Sequence, residues 1–276
     1  MPRPDHAAPA TLAIVPLTTE HLAEAHALSQ SVGWPHRLED WALSLSLSQG
    51  AAALDGGRLV GTALCTPFGP VATLNMIIVA EPLQGQGLGR RLMDTIIAVA
   101  GARELRLVAT EAGLPLYRKL GFGEAGRIVK HEGVARAAEP EAPVRFGPAD
   151  PSALAAMDTD ASGMERGALL SRIAADGETL TTEGGFALLR PFGKGHVLGP
   201  VVARAPAAAR ALMAAAAQRM AGRFLRIDLR AEHGLSDHAL ALGLAPAGAC
   251  AAMVCDPRPR APSAFQTFAL VSQAMG

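Results

Sequence analysis

One short segment constrains the chain more than any other: Val79-Ala-Glu-Pro-Leu-Gln-Gly-Gln-Gly-Leu-Gly-Arg90. The β-branched run Ile77-Ile78-Val79 reads as the end of a strand. Leu88, Leu92, Ile96 and Val99 recur at helical spacing, so a helix opens at about Gly87. The first amides of a helix have no intrahelical acceptor, and the dipole's positive end lies there. Gly85, Gly87 and Gly89 remove the Cβ atoms that would hold a phosphate off those amides. The segment therefore reads as an anion site, with a diphosphate as the natural guest. A Walker loop needs Gly-Lys-Ser/Thr at its end, whereas Gly89 precedes Arg90 and Arg91. A dinucleotide fingerprint would require glycine at position 90, where Arg90 stands.

The elements around this loop form an α/β pattern. Ile14 to Leu17 reads as a first strand, followed by a helix capped by Thr18 or Thr19 and carrying Leu22, Ala25 and Leu28. Leu38 to Ser48 fits a strand or a helix, and Glu39 and Asp40 favour the helix because acids suit a first turn. Ala51–Leu54 and Arg58–Cys65 flank Asp55-Gly56-Gly57 as a hairpin. A strand over Ala72–Val79 precedes the glycine loop, and Gly101 ends the helix behind it. Leu105–Ala109 is a further strand, and a helix over 112–120 stops at Gly121.

The spacing Gln84-Gly85-Gln86-Gly87-Leu88-Gly89 resembles the coenzyme A pyrophosphate loop of the GNAT N-acetyltransferase superfamily. Leu116-Tyr-Arg-Lys-Leu-Gly-Phe122 resembles that family's LY-x-K-LGF segment, at the expected distance downstream. The resemblance covers residues 11–135 and implies acetyl-CoA as acetyl donor. It implies that the backbone of Ile77, Ile78 and Val79 pairs with pantetheine, with an amide such as that of Val79 polarising the thioester carbonyl. Gln84, Gly85, Gln86, Gly87, Leu88, Gly89 and Arg90 would hold the pyrophosphate. Arg90 or Arg91 either bridges to a phosphate or lies solvated on the helix. Thr110 stands where many members carry an asparagine that contacts the coenzyme, or it caps the next helix. Tyr117 matches the tyrosine that protonates the departing thiolate, and the alternative is a core aromatic. A phenol of pKa about 10 can donate to a thiolate of pKa about 8.5. Trp34 and His36 lie in the region that lines the acceptor site in this family, although Trp34 also suits a core. Glu111, His36, Glu39 and Asp40 are all candidate bases. Direct attack needs no covalent enzyme intermediate, so Cys65 reads as packing.

Ala135 to Val144 lacks an apolar period, and we place a linker over 136–143 there. Beyond it the order of elements restarts: strands over Val144–Phe146, Phe186–Arg190, Val197–Val202 and Leu225–Leu229, with helices from Ser152 and over Ala205–Ala221. Val79 to Gly121 is 42 positions and Val202 to Gly243 is 41, which suggests duplication. The expected architecture is thus α/β (α+β): tandem GNAT-like domains, each a mixed, mostly antiparallel sheet flanked by helices. Residues 1–10 form a loose tail, 11–135 the catalytic domain and 144–276 a degenerate second one. In that second domain the strand–helix junction Val202–Arg210 has no glycine, and Ala239 stands where the first has Tyr117. It would wall the acceptor pocket or make a homodimer contact. Asp158, Asp160, Glu165 and Arg166 would meet a charged acceptor or be solvated.

Composition excludes other classes. Lys+Arg and Asp+Glu balance at 25 each and aromatics make up 4%, so neither a basic stripe nor a stacking surface for nucleic acid is expected. No run approaches the roughly 20 apolar residues of a membrane span. Three cysteines without CxxC spacing, and an N-terminus without an apolar h-region, suggest a cytoplasmic protein with reduced thiols and no metal. The expected reaction is acetyl transfer to a primary amine of a small molecule or peptide. The rival is a non-catalytic acyl-CoA sensor that keeps the loop without an acceptor site.

Overall fold

The computed structural model describes residues 12–276; the expected tail over 1–10 lies outside the described residues. Two compact units result, 12–65 with 76–101 and 66–75 with 102–276.

In the first unit β1 (Ala13–Pro16) is followed by α1 (Leu22–Ser31) and α2 (Leu38–Ser46). Thr18 caps the short 3-10 turn that leads into α1, exchanging bonds with His21. Asp40 closes the start of α2 by accepting from the Arg37 amide at 2.9 Å and its guanidinium at 2.8 Å. Asp40 of that first turn therefore acts as expected, accepting from the amide at the helix start. Trp41, fully buried, donates to Ser29 Oγ at 3.0 Å and ties α2 to α1. β2 (Gln49–Asp55) and β3 (Arg58–Phe68) join through Gly56 and Gly57, both left-handed, as a tight hairpin requires. The strand order is β1-β2-β3-β4, with β4 spanning Val71–Val79. Behind β4, α3 (Leu88–Ala100) buries Leu88, Leu92 and Ile96 as expected. Val99 was expected on that face but is 37% exposed, and Met93 and Ala100 complete the buried stripe instead.

In the second unit Val71–Thr73 of β4 pair in parallel with Glu104–Arg106 of β5 (Glu104–Ala109). Then follow α4 (Leu114–Lys119), β6 (Gly123–Val134), β7 (Arg145–Phe146), α5 (Pro151–Ser162) and α6 (Gly167–Ala175). The helix expected over 112–120 is shorter because the Thr110 carbonyl takes the amides of Gly113 and Leu114 in a preceding turn. Next come β8 (Glu178–Thr182), β9 (Gly185–Phe192), β10 (Gly195–Ala203), α7 (Pro206–Arg219) and β11 (Phe224–Arg230). The chain closes with α8 (Ser236–Ala241), β12 (Ala245–Cys255) and β13 (Gln266–Ala269). Strands β6, β8, β12 and β13 and helices α6 and α8 have no counterpart in the sequence reading.

The order β5-β12-β6-β11-β13-β10-β9-β8-β7 reveals an exchange. Strand β6 follows α4 yet runs antiparallel to β11 of the second repeat, and β12 follows α8 yet runs antiparallel to β5 of the first. Each repeat thus completes its sheet with the other's last strand. The stretch 136–143 is pinned at its start: the Arg136 amide donates to the Leu242 carbonyl at 2.8 Å, and Ala138 packs on the core. Helix α7 buries six alanines among Ala209–Ala217, small enough to bring it close to the sheet.

Candidate active site

The glycine loop has the geometry of an anion cradle. After Val79 a 3-10 turn (Glu81–Leu83) leads to Gln84. Gly85 and Gly87 hold φ of +75° and +82°, a region that a Cβ disfavours. Gly87 is the N-cap of α3, and the first bond of the helix runs from the Arg91 amide to the Gly87 carbonyl at 3.1 Å. The amides of Leu88, Gly89 and Arg90 come before it and have no acceptor within the helix. A Cβ on Gly85 or Gly87 would meet nothing within 4 Å, so the mouth of the cradle is open. Gln84 Nε2 donates to the Val79 carbonyl and Gln86 Nε2 to the Pro82 carbonyl, each at 3.0 Å. Both amide side chains therefore staple the loop's own backbone. Arg90 lies on the helix surface, its Nε 3.1 Å from Asp94.

Strand β4 carries a feature that nothing in the sequence announces. Met76 is buried with φ of +50°, a left-handed residue inside a strand. Such a residue disturbs the ladder and re-aims the peptides that follow, here Ile77, Ile78 and Val79. Its carbonyl accepts from Thr62 Oγ1 at 2.7 Å. In the second unit Asn75 Nδ2 donates to Thr66 Oγ1 at 2.8 Å, and its buried Oδ1 has no hydrogen-bond partner. A buried acceptor without a donor is uncommon and suits a ligand amide. The β4–β5 ladder stops at Thr73 and Arg106, so among the described residues Leu107–Ala109 keep a ladder partner only on the β12 side. Within the first unit, the re-aimed strand and the row of bare amides suit an extended, diphosphate-bearing molecule.

Tyr117 on α4 is buried, its ring edge-on to Phe122 at 6.2 Å. Burial pushes its pKa up to about 12, so the phenol stays protonated across the working range. Gly113 makes room for it: a Cβ there would come within 2.6 Å of Tyr117 Cε2. Thr110 is exposed and holds the turn before α4 through its carbonyl. Trp34 and His36 are half-buried, with rings 5.6 Å apart, while Trp41 fills the core of the first unit. Among the candidate bases, Asp40 is buried and engaged by Arg37, whereas Glu39 and Glu111 are exposed.

The second repeat is built differently at the matching place. Strands β10 and β11 pair in parallel over His196–Leu198 and Leu225–Ile227, then part. Strand β13 enters between them, pairing Gln266–Ala269 with Val201–Ala203 and Ala269 with Leu229. A strand of the same chain fills the slot where the resemblance would put pantetheine. Ala239 is buried in α8, and α7 begins at Pro206 without a glycine. Asp158 and Arg166 are neither solvated nor exposed to an acceptor: fully buried, they form a two-pronged pair at 2.6 and 2.9 Å. Arg166 also donates to the Met275 carbonyl at 3.0 Å. Asp160 accepts from Ser263 and from the amides of Ala264 and Phe265. Among the described residues no His/Cys/Asp/Glu group could hold a metal, and no helix is long and apolar enough to cross a membrane.

The repeated α/β units and the glycine-lined helix start define a tandem protein of the acetyltransferase type. Two family models match, the GNAT acetyltransferase family over residues 16–122 and a GNAT acetyltransferase domain over residues 154–267. The chain belongs to the GNAT acetyltransferase superfamily, in two copies. It is 32% identical over 122 residues to YitH of Bacillus subtilis, described as an uncharacterized N-acetyltransferase, a match covering 43% of each chain. The match thus spans less than half the length of that relative. A putative acetyltransferase of Pyrococcus horikoshii shares the fold with a TM-score of 0.81 at 20% identity, over 96% of each chain. A tandem GNAT protein of the clavulanic acid biosynthesis pathway shares it with a TM-score of 0.63 at 16% identity, over 91% of this chain and all of the other.

Proposed function

We propose that the chain is an N-acetyltransferase that uses acetyl-CoA to acetylate a primary amine by direct attack. The observation that carries this reading is the open cradle at Gly85–Arg90, where left-handed glycines leave three helix amides bare. The residues of that loop hold the pyrophosphate, and the strand re-aimed at Met76 presents Ile77–Val79 to pantetheine. The amine nitrogen forms a bond to the thioester carbon while a backbone amide, that of Val79 in this reading, steadies the oxyanion. The carbon–sulfur bond then breaks and Tyr117 protonates the thiolate, and the amine's surplus proton passes through water to restore the phenol. The presence of a tyrosine at 117 favours this over the sensor reading, since a pure binder needs no acid. Trp34 and His36 are assigned to acceptor contact, Thr110 to the coenzyme. A cytoplasmic location is part of this reading, with Cys65, Cys250 and Cys255 as free thiols. The second repeat, its slot filled by β13, serves as scaffold.

Thermal unfolding with and without acetyl-CoA tests the cradle. At about 100 times the dissociation constant the ligand should add about 2.7 kcal/mol. Gly87→Glu fills the cradle with a like charge and should abolish that gain. An equal melting shift in the variant would remove the loop from coenzyme binding.

A further inference from the structure

A cavity of about 560 Å³ opens within the second unit, a size typical of small-molecule sites. Its apolar lining comes from Leu107, Ile128, Met164, Met253, Phe265 and Leu270. The connection from β12 to β13, residues 256–265, supplies one wall and is fastened at both ends. The Arg258 amide donates to the buried Glu104 carboxylate at 2.8 Å. Ser263 Oγ and the amides of Ala264 and Phe265 donate to the Asp160 carboxylate at 2.8, 2.9 and 3.0 Å. The wall is therefore in place before a guest arrives, which spares binding the cost of ordering it.

Four guanidiniums line this space, and three of them have a carboxylate to answer them. Arg106 Nε donates to Glu104 and Arg230 Nε to Glu232, each at 2.6 Å. Arg260 donates to the carbonyls of Asp160 and Ala161 and lies in the field of the Asp160 carboxylate. The Arg258 guanidinium donates to the Ala102 carbonyl alone, which fixes the side chain without cancelling its charge. Asp256 interacts with the Cys255 thiol and is not among the lining residues. His233 does line the cavity, but burial holds its pKa below the ordinary value, so it adds no charge near neutral pH. One positive charge is left over. Arg106 registers the imbalance: burial, with the like charges of Arg260 and Arg230 behind it, pulls its pKa down even though Glu104 is bound to it.

We propose that this cavity is a ligand site of the second unit, and that its ligand is a small monocarboxylate with an apolar body. The carboxylate meets Arg258, whose planar guanidinium can donate to both oxygens. The methionines, leucines and Phe265 take the body. A second carboxylate on the ligand would have to be buried unpaired or face Glu104 and Glu232, and an amine would meet a positive field. Every group invoked belongs to the second unit, so the site needs no part of the glycine cradle and stands apart from the acyl-transfer reading.

Calorimetry on the full chain tests the site with octanoate and phenylacetate, each against its uncharged alcohol, octanol and phenylethanol. At least one acid should bind about tenfold or more tighter than its alcohol. Octanedioate, with a second carboxylate, should bind more weakly than octanoate. Arg258→Gln, at an exposed position, should cost the acid about tenfold in affinity and leave the alcohol unchanged. Arg260→Gln should cost it less, because Asp160 already answers that charge. Equal binding of acid and alcohol, tighter binding of octanedioate, an acid affinity untouched by Arg258→Gln, or equal losses in the two variants overturns the assignment. Failure of both acids to bind does the same and leaves acyl transfer as it stood. Saturating acetyl-CoA should leave the acid bound; its displacement would put the probe on the cradle and overturn the site as well.

Discussion

Tyr117 is the residue where chemistry and packing can be separated most cleanly. It is the chain's only tyrosine, so tyrosinate absorbance reports on it alone. In an unfolded chain a phenol ionises near pH 10, whereas burial raises the folded value to about 12. The folded state thus favours the protonated phenol. Its contribution is fully present below the unfolded value and is lost as pH rises through that window. An alkaline titration of the native protein should show no tyrosinate near pH 10, and unfolding at that pH should release the signal at once. Native ionisation at the ordinary value would mean that the ring is not buried. Tyr117→Phe keeps the ring against Phe122 and removes the acid. Turnover should fall about 100-fold with acetyl-CoA affinity held, in the range for a lost general acid. An unchanged turnover would reduce Tyr117 to a core aromatic wedged against Gly113.

At the level of elements, the buried Asp158–Arg166 pair fastens α5 to the segment around Met275. Asp158→Asn would leave an uncompensated buried guanidinium and should cost about 3–5 kcal/mol. Urea unfolding would show this as a lower midpoint at constant slope. Asp158→Leu with Arg166→Met should regain most of the loss, and full stability in the single variant would show the pair to be solvated. The pair also shows what the sequence could not reveal. Asp158, Asp160, Glu165 and Arg166 read as a charged cluster because charge in a helix suggests solvent. Burial of two of them depends on β13 and the residues after it. What the sequence did reveal were local signals: the Asp55-Gly56-Gly57 turn, the glycine start of α3 and the stripe Leu88, Leu92, Ile96. Strands β6 and β12 escaped notice for a physical reason. They are rich in Gly, Ala and charged residues, and what stabilises them is pairing with strands roughly 90 to 150 residues away. The left-handed Met76 has no signature either, since methionine does not favour that conformation.

At the scale of the whole molecule, the exchange of last strands decides whether either repeat can stand alone. A chain cut after residue 135 keeps β5 but loses β12, its antiparallel partner over Leu105–Ala109. It also strips β6 of both neighbours, β11 and β12. That leaves β5 bare on one side and β6 on both, and unpaired edges in water invite aggregation. The fragment 1–135 should therefore be insoluble or unfolded and show no melting shift with acetyl-CoA, although every residue of the cradle is present. Fragment 136–276 lacks β6 and should fare no better. Co-expressed, the two should recover a soluble complex that binds acetyl-CoA, because each supplies the strand the other lacks. The intact chain has the same pairs to form, and their sequence separation predicts slow folding. If fragment 1–135 folded cooperatively and bound acetyl-CoA like the full chain, the exchanged strands would be dispensable, and the second repeat would be an addition to a complete enzyme rather than half of its sheet.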